Sequence, residues 1–278
     1  MKMGFVRSSL LCLGVLLACL AFTNVSDAVK MDDVLAIWTL DEGAGDKVED
    51  SSGNGNNGAF AVGEPQWVDG KFGSALRFDG AHQGGSFVEM GAPVVVDTVD
   101  FSMGCYVNPG DSQNTWTNIL SSHQEPPRRG ISFEMIENNL NLFGIAIGDG
   151  PNWAGNGTVQ LDTDVWNHMA FVRTGNIGTW YWNGVPDEFE MPGGRFELAS
   201  ADPVVAATSN FRIGNWVLGG REFNGAVDDA FLFERALSGE EIADIAANGI
   251  AAALAGAGTS VDPRDKASVT WGQIKAQK

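Results

Sequence analysis

From Val34 onward the chain is a succession of short apolar runs divided by clusters of glycine, asparagine, aspartate and serine. The runs "VLAIWTL", "ALRFDG", "SFVEM", "DFSMGCYV", "TNILSS", "GISFEMI", "NLNLFGIAI", "WNHMAFVRT", "IGTWYWNG", "NFRIGNW" and "AVDDAFLF" are rich in β-branched and aromatic residues and too short for helices. They read as strands. Asn183-Gly184 is a two-residue hairpin signal and "RTGN" a second turn, because glycine and asparagine supply the left-handed backbone that tight turns need. Many short strands at this spacing predict an all-β fold, an antiparallel two-sheet jelly-roll sandwich. One short C-terminal helix follows in "LSGEEIADIAANGIAAALAG", placed at 239–254. Ser238 and Glu241 form a capping box there, and Ile242, Ile245 and Ala246 recur at helical spacing. No internal repeat or second domain is visible, so one domain spans 29–255.

The ends of the chain differ from this pattern. Lys2 and Arg7, the apolar run "LLCLGVLLACLAF" and the small residues of "SDA" have the three parts of a secretory signal peptide over residues 1–28. A lipoprotein anchored through Cys19 of "LLAC" is the alternative. Residues 256–278 have few core residues and a basic end, and read as a flexible tail. No later apolar stretch reaches the length that spans a bilayer, so the mature chain has no transmembrane segment. The expected location is extracellular or at the cell surface.

Charge and cysteine content narrow the chemistry. The net charge of −18 repels nucleic acid and attracts divalent cations. Of three cysteines, Cys12 and Cys19 lie in the leader, so Cys105 is alone and no intrachain disulfide is possible after processing. Its place in "DFSMGCYV" suits a buried, inert thiol.

The stretch "DSSGNGNNG" at 50–58 begins like a helical calcium loop, with Asp50, Ser52 and Asn54 alternating and Gly55 in sixth place. Such a loop needs a glutamate in twelfth place and flanking helices. Ala61 stands there, and "GAFAV" reads as a strand. What remains is a turn able to offer carbonyls and one carboxylate.

Taken in order, "IWTLDEGAGDKVEDSSGNGNNG", "WVDGKFGSALRFDG", "DFSMGCYV", "WNHMAFVRTG", "TWYWNG", "FRIGN" and "FNGAVDDAFLFERALSGEEI" resemble the concanavalin A-like, laminin G-like jelly-roll modules of secreted bacterial proteins. The similarity runs from about Val34 to Asn248. Tyr106 stands where that family usually places a tryptophan, and the loops "NPGDSQNTW", "HQEPPRRG" and "GDGPNWAGNGT" follow no family consensus. The family includes lectins, adhesion modules and glycan-binding appendages of enzymes. The resemblance implies a structural calcium ion joining the N-terminal turn to the last strand. Asp50 would give a carboxylate, Asn54 or Asn56 a turn carbonyl, and the Asp228-Asp229 pair a second carboxylate. The alternative is that Asp50 merely begins an Asx turn.

Glucanases share this architecture, and their retaining chemistry needs two carboxylates about 5 Å apart, which one strand supplies as Glu-x-Asp-x-Glu. That pattern is absent: Glu134 and Glu137 are three apart, and Asp228 and Asp229 are adjacent. A hydrolase would need a pair from separate strands. His82, His123 and His168 are isolated in sequence, which gives no metal or triad spacing. His168 reads as a structural residue hydrogen-bonded in the sheet, and His123 as an exposed loop residue.

Of the nine tryptophans, Trp38, Trp67, Trp166 and Trp180 or Trp182 lie in strand-like runs, where at least half supply core. Trp116, Trp153 and Trp216 lie in or beside loops rich in glycine, asparagine and aspartate. Trp153 and Trp216, with Asp149, Asn152 and Arg221 around them, are expected to form a rim platform for a glycan or an extracellular protein. No catalytic residue is assigned. The reading is a non-catalytic binding module, with a glycoside hydrolase or a purely structural surface or matrix protein as alternatives.

Overall fold

The computed structural model describes residues 29, 31–136, 141–151, 155, 158–188 and 192–257. The leader with Cys19, most of the tail, Asn152 and Trp153 lie outside the described residues. In chain order the strands are β1 (Val34–Trp38), β2 (Lys47–Val48), β3 (Gly58–Val62), β4 (Gln66–Asp69), β5 (Ser74–Asp79) and β6 (Phe87–Met90). There follow β7 (Phe101–Pro109), β8 (Asn118–Ser121), β9 (Ile131–Met135), β10 (Leu142–Ile147), β11 (Thr158–Gln160) and β12 (Asn167–Thr174). Last come β13 (Ile177–Trp182), β14 (Val185–Pro186), β15 (Arg195–Glu197), β16 (Arg212–Ile213) and β17 (Asn224–Phe233), then helices α1 (Gly239–Asn248) and α2 (Ile250–Ala257).

These strands form two antiparallel sheets, which bears out the predicted sandwich. The nine-stranded sheet runs β14-β13-β12-β7-β17-β5-β4, with β1 also on β17 and β15 also on β13. The eight-stranded sheet runs β11-β10-β9-β8-β16-β6-β3-β2. Alternate residues of each sheet meet between them: Met103, Cys105, Phe171, Trp180 and Val227 from one, Val88, Phe133, Phe143 and Ile213 from the other. Alternation of period two is why so many short runs build one core. Cys105 is fully buried there, and burial pushes its thiol upward, as expected for an inert cysteine.

The larger sheet is covered on its second face too. Ile37, Val172, Phe231 and Phe233 pack there against Ile242, Ile245 and Ile250 of the helices. That explains why β7, β12 and β17 read as nearly continuous apolar runs. The helical segment differs from expectation: two helices replace one, broken at Gly249, whose φ of 82° a helix does not accept. The capping box is present as predicted, with the Ser238 hydroxyl accepting from the Glu241 N–H and the Glu241 carboxylate from the Ser238 N–H.

Other local readings hold. Asn183 and Gly184 both take positive φ, 50° and 84°, in the turn that joins β13 to β14. Trp38 and Trp180 are fully buried, the former stacked on Phe211 at 5.1 Å. His168 is buried as a structural residue, but its ring makes no hydrogen bond among the described residues. It lies edge-on to Tyr106 and stacked on Phe231, and burial lowers its pKa to about 3. The imidazole is a neutral packing element.

Candidate functional site

The outer face of the eight-stranded sheet carries the polar members of each alternating strand. Glu89 on β6, Arg212 on β16, Ser121 on β8 and Ser132 on β9 stand in register across it. That row continues to Ala146 of β10, and Glu134, two residues from Ser132 on the same face, stands opposite Gly144. Ser121 and Ser132, and Asn118 opposite Glu134, are polar yet fully buried. Residues 215–222 lie close by, as a compact loop between β16 and β17.

That loop is built by its own hydrogen bonds. Its base closes through the Phe223 N–H to the Gly214 carbonyl, and its tip through the Gly219 N–H to the Trp216 carbonyl. The Asn215 side-chain oxygen accepts from the Trp216 and Arg221 N–H groups, and the Glu222 carboxylate accepts from the Gly220 N–H. Such internal pairing gives a surface loop one shape. The Asn118 N–H then ties Arg221 to β8 through its carbonyl at 3.0 Å.

Two arginine–aromatic–glutamate groups result. The Arg212 guanidinium lies 4.3 Å over the Phe87 ring and grips Glu89 at 2.6 Å. The Arg221 guanidinium lies 4.0 Å over the Trp216 ring and meets Glu134 at 3.4 Å. Beside the first group is a cleft of about 440 Å³, lined in part by Gln83, Phe87, Arg212, Asn215, Leu218 and Glu222. Leu218 is 62% exposed on its wall. An apolar wall facing a few convergent polar groups is the usual composition of a small-ligand site.

His123 is a correction to the sequence reading: it is 2% exposed and packs beside Trp216, 5.7 Å between ring centroids. It approaches both Ser132 and Glu134 at 3.4 Å. Those three residue types suggest a hydrolytic relay, which requires the nucleophile and the carboxylate on opposite ring nitrogens. Here both partners lie at Nδ1. The arrangement orients the imidazole without linking a nucleophile to an acid.

The glucanase alternative meets a spacing problem. Glu89 and Glu134 face outward from β6 and β9, which are separated by β16 and β8. Three strand spacings and the two-residue step from Ser132 to Glu134 place their backbones about 16 Å apart, well beyond the 5–10 Å of retaining and inverting pairs.

The residues named for calcium are engaged by N–H donors. Asp50 Oδ1 accepts from the Ile37 N–H, the Ser52 N–H and the Ser52 hydroxyl, and Oδ2 from the Asn56 N–H. The side-chain amides of Asn54 and Asn56 donate to the Val34 and Leu35 carbonyls, and the Asn56 carbonyl accepts from the Trp38 indole. The turn is therefore stitched to β1 by N–H groups, as the Asx alternative holds. Asp228 Oδ2 accepts from the Lys71 and Phe72 N–H groups, and Asp229 Oδ2 from the Ile250 N–H. Among the described residues no group of three or more histidine, cysteine or acidic side chains is placed to hold a metal.

The predicted binding residues are only partly brought together. Trp216 and Arg221 meet, yet Trp216 is half-buried with Arg221 across its ring, so it is no open platform. Trp116 is 37% exposed at the same end of the sheet, its carbonyl bound by the Asn118 amide. Asp149 lies elsewhere. Gly144 pairs with Glu134, and Asp149 is five residues farther along, about 16 Å at the rise of a strand. Glu89, Arg212, Phe87, Glu134 and His123 were missed as site residues, although Glu89 in "SFVEM" and Arg212 in "NFRIGNW" are charges inside apolar strands.

The chain belongs to the concanavalin A-like lectin/glucanase superfamily, whose laminin G-like family model matches residues 82–243. No curated protein matches the sequence. Among solved structures, domain 4 of AbnA, an extracellular arabinanase from Geobacillus stearothermophilus solved with arabinotriose, is 21% identical with a TM-score of 0.57. The match covers 77% of this chain and 98% of that one. The binding domain of botulinum neurotoxin serotype G is 14% identical with a TM-score of 0.57, over 77% of this chain and 50% of that one. A botulinum neurotoxin type C structure, whose cell entry is described as dependent on two ganglioside molecules, is 12% identical with a TM-score of 0.56. That match covers 78% of this chain and 51% of the toxin chain.

Proposed function

We propose that this chain is a non-catalytic, extracellular binding module whose ligand is a carbohydrate held on the outer face of the eight-stranded sheet. The observation that carries the reading is the 440 Å³ cleft beside the self-braced 215–222 loop. Leu218, exposed on the cleft wall, offers apolar surface to the carbon face of a sugar ring. Gln83 and Arg212 offer polar groups to its hydroxyls, while the buried Asn215 and Glu222 brace the loop behind them. The arabinotriose complex of the arabinanase domain and the ganglioside dependence of the type C toxin are consistent with this use of the fold. The wide separation of Glu89 and Glu134 favours binding over hydrolysis. The leader-like residues 1–28 and the extracellular arabinanase relative support the location.

A glycan array identifies the sugar, and calorimetric titration then compares the native chain with the double variant Gln83→Ala, Leu218→Ala. Both residues are exposed, so the fold is retained. Affinity is expected to fall about tenfold, the effect of losing roughly 1.4 kcal/mol of contact. An array without any bound glycan, or release of reducing sugar from polysaccharide, would overturn the reading.

A further inference from the structure

A second cleft lies where the chain crosses from the smaller sheet to the larger, between the end of β3 and the start of β4. It encloses about 530 Å³ and shares no lining residue with the cleft assigned to carbohydrate. Phe60 and Trp67 form its aromatic wall, with ring centroids 6.1 Å apart and planes inclined by 36°. Both rings are half-buried and rest against the core, which leaves part of each ring turned to the cleft. The Trp67 indole N–H donates to the Gly45 carbonyl at 2.9 Å, which fixes the indole in its plane. Gly45 and Gly63, at φ of 82° and 62°, shape the two flanking turns.

The polar side chains of this cleft are Asp46 and Glu64. Both are exposed, and neither makes a side-chain hydrogen bond or ion pair among the described residues. No basic residue lines the cleft. A fixed pair of π faces beside two uncompensated carboxylates has one matching chemistry. Ring quadrupoles and carboxylates both attract a cation and both disfavour an anion. The net charge of −18 steers a basic partner toward the molecule from a distance.

We propose that the Phe60–Trp67 cleft is a docking site for a lysine side chain of a partner protein, the ammonium held between the rings and the Asp46 and Glu64 carboxylates. The apolar stem of lysine lies along the rings while its head stays at the acidic rim. This site is independent of the carbohydrate reading, so either can fail alone.

The test is a nuclear magnetic resonance titration of ¹⁵N-labelled protein, following the Trp67 indole N–H signal assigned through Trp67→Phe. The probes are a short lysine-containing peptide, the same peptide with norleucine for lysine, and the same with glutamate. The lysine peptide is expected to shift the Trp67 signal saturably while the Trp216 indole signal stays in place. Asp46→Asn with Glu64→Gln should weaken the response about fivefold without changing the fold, because both residues are exposed. Raising the salt concentration should weaken it as well. An equal response to norleucine would reduce the cleft to a non-specific apolar surface, and an unmoved Trp67 signal would remove the site. Either result overturns the proposal.

Discussion

At the scale of single residues, the acidic pair of β17 is held by backbone N–H groups inside the fold. β17 is bulged at Asp228–Phe231, where its pairing passes from β5 to β1, and Asp229 takes a φ of 46°. Asp228 is fully buried, with Oδ2 on two backbone N–H groups and Oδ1 without a partner. Burial raises its pKa to about 7 against those N–H bonds, and the neighbouring Asp229 adds to the rise. Asp229 is itself raised to about 6, chiefly by burial. A carboxyl whose pKa is higher folded than unfolded favours the fold when protonated. Its contribution is present below the unfolded value of about 3.9 and is lost as pH rises toward the folded value. Asp228→Asn keeps an oxygen for the two N–H groups and removes the charge. Thermal melts should therefore show the variant more stable than the native chain at pH 8, by up to a few kcal/mol, and level with it near pH 4. A variant less stable at both pH values would mean that the charge is compensated in some other way.

At the scale of elements, the two helices depend on caps from opposite directions. α1 starts on its own Ser238–Glu241 box, and Arg235 holds the Glu241 carboxylate at 2.6 and 2.8 Å. The first N–H of α2 is instead capped from the sheet by Asp229. Loss of the Ser238 hydroxyl in Ser238→Ala is expected to cost about 1 kcal/mol in urea unfolding. Gly249→Ala should cost more, about 2 kcal/mol or above, because it forces a side chain into left-handed backbone and a crowded site. The added Cβ would lie 2.7 Å from Asp229 Oδ2 and 2.9 Å from the Phe72 ring. Equal losses in the two variants would show that Asp229 and Phe72 shift freely.

At the scale of the whole molecule, the first turn is tied to the sheet by hydrogen bonds of its own. Asp50 joins 50–56 to β1 through N–H donors, and Trp38 locks the turn from within the core by its indole bond to Asn56 at 2.8 Å. A chelator is therefore expected to leave the thermal melting curve unchanged. A fall of several degrees would mean that an ion bound only to the native state displaces those donors, since ligation at about 100 times the dissociation constant adds about 2.7 kcal/mol.

Local chemistry in the sequence was enough to place the long strands, the Asn183-Gly184 turn, the α1 capping box and hence the sandwich, because alternation, turn residues and caps act over a few neighbours. The edge strands β2, β11, β14 and β15, of two or three residues, were invisible because they are too short to show a period. The helix restarts after Gly249 under a cap from Asp229, a residue of the sheet, which the local pattern of the helix does not contain. The site depended most on tertiary structure. Arg221 and Glu134 are 87 positions apart, and Arg212 and Glu89 are 123 apart. Sequence marked Trp216 and Arg221 as loop residues of interest, but only folding laid one across the other and buried His123 beside them. Burial of a polar side chain is decided by what the rest of the chain places over it, and no local pattern of residues encodes that.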